Sequence, residues 1–245
     1  MTTPPKSHSH ESWGNVLLLI VPYLLIVGIF QVIAMHLVGI AIDAANTITE
    51  TPFQSLVLSF ATLVGTSLTI WSMLFWADKH SFIGIGFQNI DVKDDLFQGL
   101  LLGFVLITIG FVSLVVTHQI EIVQWEWNGA ALFILLFHYI FVALSEEILF
   151  RGYILKNLMA SCNKYAALAI SSALFSCMHL ANNHIDVFSV FELFIAGILL
   201  GLSYIYNKRL WWPIALHFSW NFFQGPIFGF NVSGHERSYS LIQTH

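Results

Sequence analysis

The chain is written in long apolar stretches separated by short polar ones. No Asp, Glu, Lys or Arg occurs between Glu11 and Asp43, and about 20 apolar residues suffice to cross a bilayer as a helix. Similar runs follow at about 54–77, 97–118, 130–150 (helical to about 159), 165–181, 187–206 and 211–230. The pattern predicts an all-α fold, a polytopic transmembrane helix bundle of about seven spans (seven to eight). The fifth and sixth spans read as short. The polar break from Ala181 to Asp186 between them is expected to form a turn or a re-entrant bend. Pro22 is expected to kink the first helix, a feature membranes tolerate. The first helix is too long for a signal-peptide core and is read as retained.

Composition leaves little choice of class. Hydrophobic residues make up 57% of the 245 and charged ones 9%, against about 25% charged in a soluble domain. A net charge of −5 with no basic patch excludes a nucleic-acid partner, and the hydrophobicity excludes a disordered chain. Cys162 and Cys177 do not make a disulfide framework. The protein is expected to be an integral, multi-pass membrane protein, in the bacterial cell membrane.

Basic residues orient the bundle. With the N-terminus cytoplasmic, seven of the nine (Lys6, Lys79, Lys93, Lys156, Lys164, Lys208 and Arg209) fall on the inner side. Arg237 falls outside and Arg151 within a helix, while Glu50, Glu121, Glu126 and Asp186 mark the outer side. Trp125, Trp127, Trp211 and Trp212 sit at span ends, where interfacial tryptophans belong. Residues 1–14 read as a cytoplasmic tail, 15–129 as helices 1–3 with their loops, 130–230 as a core, and 231–245 as a C-terminal tail. The longest inner loop runs from Asp78 to Leu96, with Ile83–Phe87 expected along the interface. Asn231-Val232-Ser233 matches a glycosylation sequon and carries no weight here.

Ionisable residues inside the spans are the candidates for chemistry, because a charge at the bilayer centre costs about 2.5–3.5 kcal/mol on insertion scales. Three places qualify. In Ser145-Glu146-Glu147-Ile148-Leu149-Phe150-Arg151-Gly152, Glu147 and Arg151 are four apart and share a helix face. Glu146 points about 100° away with no partner on its own helix, which suits a general base. The plain alternative is a salt bridge at a helix end, for which one Glu would suffice. The second place is Phe175-Ser176-Cys177-Met178-His179; a lone His there is more often a packed residue than a catalyst. The third is His217-Phe218-Ser219-Trp220-Asn221, where a spacing of four stacks His217 and Asn221 on one face. Two donors aimed at one point suit a developing oxyanion, although polar pairs also glue membrane helices together. His36, His118 and His138 receive no role; His138, eight residues before Glu146, is placed to line the same cavity.

Depth tests whether these residues can meet. At about 1.5 Å per residue, Glu146 lies about 18 Å from a helix end near 158 and His179 about 20 Å from one near 165. His217 lies only about 9 Å from a start near 211, too shallow unless its helix tilts or begins earlier.

The three elements, in this order, resemble the CPBP family of intramembrane proteases (CAAX proteases and bacteriocin-processing or immunity proteins, also called Abi). The family pattern is EExxxR, FxxxH and HxxxN or HxxxD on separate helices. Here it reads Glu146-Glu147…Arg151, Phe175…His179 and His217…Asn221. Phe150-Arg151-Gly152-Tyr153, Asn182-Asn183 and Trp212-Pro213 flank the motifs as in the family. The resemblance covers about residues 130–225, which makes 130–230 a catalytic core; helices 1–3 match only in being hydrophobic. It implies endopeptidase activity within the membrane, near a prenylated cysteine in type II CAAX enzymes. By similarity, Glu146 with His179 activates the attacking water, His217 and Asn221 hold the oxyanion, and Glu147 with Arg151 supports the site.

The family is often labelled metalloprotease, so a zinc site of Glu146, His179 and His217 stays open as an alternative. Water activation by glutamate without a metal is the favoured reading, because no HExxH occurs and three ligands on three helices must converge unaided. The expected partners are membrane lipid and a membrane-tethered peptide or protein, either a prenylated CAAX-type or a leader peptide. Two other readings compete. One is a catalytically silent immunity or scaffold protein; the other is a proton-coupled transporter, which the lack of an inverted repeat disfavours. The cavity is expected to open toward the cytoplasm.

Overall fold

The computed structural model describes residues 9–42, 49–182, 185–233 and 238–244. Lys6, Arg237 and Asn183 lie outside them. Among the described residues seven helices form: α1 (Ser9–Leu37), α2 (Pro52–Met73, continued by a π-helical turn Leu74–Asp78), α3 (Val92–Val116), α4 (Gly129–Ser161), α5 (Lys164–Met178), α6 (Val187–Asn207) and α7 (Trp211–Phe222, continued by a π-helical turn Phe223–Ile227). Five are long and apolar enough to cross a membrane: Trp13–Leu37, Pro52–Asp78, Val92–Val116, Gly129–Ser161 and Val187–Asn207. The short helices are therefore the fifth, of 15 residues, and the seventh, of 12 before its π turn. The sixth has 21 and is not short, because Asp186 caps it at its first turn.

Local chemistry starts each helix where the apolar run begins. Thr51 and Gln54 form a reciprocal capping box with Pro52 at the first position of α2. The side chains of Asn128, Asn163 and Asp186 accept from backbone N–H groups at the starts of α4, α5 and α6. Leu17, Leu25, Trp76, Phe133 and Phe188 are among many large apolar side chains left exposed. An apolar surface of this extent belongs against lipid, not water, and the protein is an integral membrane protein.

Helix α4 is the axis of the bundle, packed against α2, α7 and α5, with α1 reaching its Lys156–Ser161 end. Helix α3 packs along α7, and α6 along α5. Small residues permit these approaches. A Cβ on Gly99 or Gly103 of α3 would sit 2.6 Å from Trp212 O or 2.8 Å from Ser219 Cβ. The Ser219 hydroxyl donates to Leu100 O at 2.7 Å across the same contact.

Within Ile83–Phe87 a 3-10 turn, Ile83–Ile85, is anchored by the fully buried Ile85, whose carbonyl accepts from Tyr204 Oη at 2.7 Å, while Ile83 stays exposed. One expectation changes: the fold is not purely helical. A short strand β1 (Ile122–Trp125) pairs antiparallel with β2 (Ile242–Thr244), Trp125 opposite Ile242. Ile242 is buried with Phe111 and Phe228, so the end of the expected tail is docked.

Candidate active site

Immediately after Glu147, helix α4 widens into a π-helix over Ile148–Leu155. Such irregularities inside helices are frequently found at functional sites. The carbonyl of Phe150 in this segment accepts from the Ser171 hydroxyl of α5 at 3.1 Å. Arg151, 1% exposed, projects from the widened turn into the core. Its Nη1 donates to Glu147 Oε1 at 2.7 Å and its Nη2 to Gly197 O of α6 at 3.1 Å. Its guanidinium lies over the Phe175 ring, 4.7 Å from the centroid. Gly197 makes this reach available, since a Cβ there would sit 2.9 Å from Ser172 Cβ.

Glu147, fully buried, takes a second donor on the same oxygen: His217 Nδ1 lies 2.9 Å from Oε1. The carboxylate orients the ring and sets Nδ1 as the donor. The other nitrogen, Nε2, faces Glu146 Oε2 at 3.8 Å. His217 thus stands between the two adjacent glutamates, one holding it and the other facing it. Glu146 Oε2 has no hydrogen-bond partner among the described residues, and the Glu146 side chain is 26% exposed where it lines a cavity of about 880 Å³.

His179 closes α5. Its Nδ1 lies 2.8 Å from Phe175 O; a carbonyl only accepts, so Nδ1 carries the proton and Nε2 of the neutral ring holds the lone pair. Phe175 is a shared spacer, its ring 4.9 Å from that of His179 and 6.2 Å from that of His217. Glu146, His179 and Asn221 all line the cavity. His217 sits just behind them and is 5% exposed.

The depth of His217 has a simple cause. Helix α7 begins inside the bundle, not at its end. Leu210 is fully buried, its N–H donates to Gly86 O at 2.9 Å, and a Cβ on Gly152 would sit 3.3 Å from Leu210 Cδ1. The first turn of α7 therefore starts beside Gly152, which brings His217 level with Glu147.

Among the described residues no group of three His, Cys, Asp or Glu side chains is placed to hold a metal ion; the Glu147 contact at His217 Nδ1 leaves Nε2 open, as in metal-bound histidines.

Part of the cavity wall comes from helices outside the three motifs. Tyr23 and Gln31 of α1 and Ser55, Ser59 and Thr62 of α2 line it. His138 lines it too, its Nδ1 2.9 Å from Ser55 O. The signal was present: Ser55, Ser59, Thr62, Thr66 and Thr69 recur at helical spacing within an apolar run. Thr49, Glu50, Asn182, Ser233 and Ser238 line the cavity at the end of the bundle away from Lys156.

No curated protein and no solved structure matches the chain. The cavity-lining parts of α1 and α2 fall outside the segment that matches a family model. That segment, residues 127–223, holds Glu146, Glu147, Arg151, His179, His217 and Asn221, and it is similar to the Rce1-like family, type II CAAX prenyl endopeptidases.

Proposed function

We propose that the protein is an intramembrane endopeptidase that hydrolyses a peptide bond of a membrane-tethered peptide or protein by a glutamate-activated water. The observation that carries this reading is the cavity-facing carboxylate of Glu146 beside a histidine that Glu147 and Arg151 hold in place. Arg151 matches the charge of Glu147, so Glu146 and His217 are left to handle the reaction's proton.

Glu146, with His179 positioning the water, accepts a proton as the water oxygen bonds to the scissile carbonyl carbon. The oxyanion that forms is met by the Asn221 amide and by His217, which donates from Nε2 when its ring carries a second proton while Nδ1–H stays on Glu147. Glu146 then returns the proton to the leaving nitrogen as the C–N bond breaks. No step passes through a metal. A zinc held by Glu146, His179 and His217 would instead predict loss of cleavage on chelation and its recovery with zinc.

Cleavage of a library of lipidated and unlipidated peptides, farnesylated CAAX peptides included, tests the reading. Detergent-purified wild type is compared with Glu146→Gln, each with and without a strong chelator. Cleavage by wild type that survives chelation and vanishes in Glu146→Gln supports it. A folded preparation that cleaves nothing favours the silent scaffold instead.

A further inference from the structure

Helices α5 and α6 pack along each other, and where α5 starts and α6 ends they bring two lysines and two tyrosines together. Lys164 Nζ lies 3.7 Å from the centroid of the Tyr206 ring and 5.3 Å from that of Tyr165. The two tyrosine hydroxyls meet at 3.0 Å. One hydroxyl proton serves that contact and the other is left to donate outward. Lys208 follows the last residue of α6, and its Nζ reaches Met159 Sδ at 3.1 Å, a weak acceptor that does not neutralise an ammonium. Burial first, and then the nearby Lys164 charge, hold the Lys208 ammonium below the usual lysine range.

Neither ammonium forms an ion pair among the described residues, whereas the next residue, Arg209, is already matched by Asp95 at 2.7 Å and Asp91 at 3.3 Å. Two neighbouring like charges with no carboxylate beside them favour an anion. The surroundings say which kind. Tyr165 and Tyr206 are 58% and 62% exposed, with an apolar ring and a polar tip, as tyrosines are at a membrane interface. From Tyr206 an apolar stripe runs back along α6 through Leu202 and Leu199 to Ile195, all within about 60° of arc at 100° per residue. Its length is about 16 Å, which matches one leaflet, half of a hydrocarbon core of about 30 Å. The charged Glu192 comes only beyond it. A soluble anion has no use for such a stripe, and an acyl chain does.

From this arrangement we propose that the α5–α6 end is a binding site for an anionic phospholipid. Its phosphate lies between Lys164 and Lys208 and accepts from a tyrosine hydroxyl, and one acyl chain lies along Ile195–Tyr206. Basic pockets at the ends of membrane helices hold lipid headgroups in this way. The bound lipid bridges the two helices that carry His179 and the Gly197 carbonyl on which Arg151 rests. The site does not depend on the peptidase reading.

Native mass spectrometry of the full-length, detergent-purified protein tests it by counting bound lipids. Phosphatidylglycerol and phosphatidylcholine with the same acyl chains are titrated separately, and inorganic phosphate is added as a competitor. Wild type is expected to prefer phosphatidylglycerol. The Lys164→Gln/Lys208→Gln variant is expected to bind it about tenfold more weakly or worse and to lose the preference. Lys79→Gln/Lys93→Gln removes the same charge from two exposed side chains and is expected to leave binding nearly unchanged. Thermal unfolding checks that both variants fold; if the first does not, Lys208→Gln alone, at an exposed side chain, carries the same comparison. Equal weakening in the two double variants overturns the site, since net charge alone would then account for binding. Displacement of the lipid by inorganic phosphate overturns the lipid assignment and leaves a site for a free anion.

Discussion

His217 is held at Nδ1 by Glu147, 2.9 Å away, through the same carboxylate oxygen that binds Arg151 at 2.7 Å. One acceptor atom joins α4 to α7 and fixes the imidazole so that its other nitrogen faces Glu146. The two glutamates are neighbours in sequence but differ in role. Glu147 is enclosed and structural, whereas Glu146 borders the cavity.

Exchange of the two should separate stability from activity. Glu147→Gln leaves the buried Arg151 guanidinium without its counter-charge, and breaking a buried pair costs about 3–5 kcal/mol. Glu146→Gln removes a partly exposed carboxylate with no bonded partner and should leave the unfolding temperature nearly unchanged. Thermal unfolding of both variants in one detergent checks this; equal destabilisation would contradict the division of roles.

Gly197→Ala places a methyl 2.9 Å from Ser172 Cβ and must push α6 from α5. The carbonyl that anchors Arg151 moves with it. A loss of about 1–3 kcal/mol is expected from such overpacking, with a fall in cleavage rate. Gly201→Ala meets the movable end of Leu168 at 2.5 Å and Arg151 Nε only at van der Waals distance, 3.9 Å, so it should cost less and leave the Gly197 carbonyl in place. Activity lost equally in both at matched stability would show that the carbonyl contact has no special part.

Tyr23 belongs to α1, outside the matched segment, yet lines the cavity with its hydroxyl 3.4 Å from Thr66 Oγ1. Tyr23→Phe should cost no more than about 0.5–1.5 kcal/mol, the net worth of one hydrogen bond, and should change KM more than kcat. A change in kcat alone would place Tyr23 in the chemistry and not in the wall.

Asp186 caps α6 through the Ser189 N–H and hydroxyl, both at 2.7 Å, and the backbone bond foremost holds its carboxyl below the usual range. With the folded pKa depressed, its stabilisation is complete above the unfolded value of about 3.9 and is lost as pH falls through the folded value. Amide exchange in the first turn of α6 should therefore show no loss of protection from this cap between about pH 9 and pH 5, and lose it only in stronger acid. Loss of protection already near pH 6, after correction for the intrinsic exchange rate, would contradict this assignment.

Much of the site was legible because helical spacing is rigid. Glu147 and Arg151 four apart had to share a face, and the mid-helix carboxylates had no reason to be there without chemistry or a partner. What escaped depended on tertiary context. No spacing rule reveals that α7 starts beside Gly152, because that follows from Leu210 packing under the inward turn at Ile85. The pairing of His217 with Glu147 follows from that depth. The enclosure of Arg151 by Glu147, Gly197 and Phe175 escaped as well. The polar stripe on α2 is the one further signal in the sequence that marks the cavity wall.

Glu146 as the base for peptide hydrolysis is tested most directly by kcat/KM for one cleavable reporter peptide, measured for wild type and Glu146→Gln at matched fold integrity. A positioned general base contributes about 10²- to 10⁴-fold, so a loss in that range with an unchanged unfolding temperature is predicted. Cleavage by Glu146→Gln within a few-fold of wild type would contradict this role.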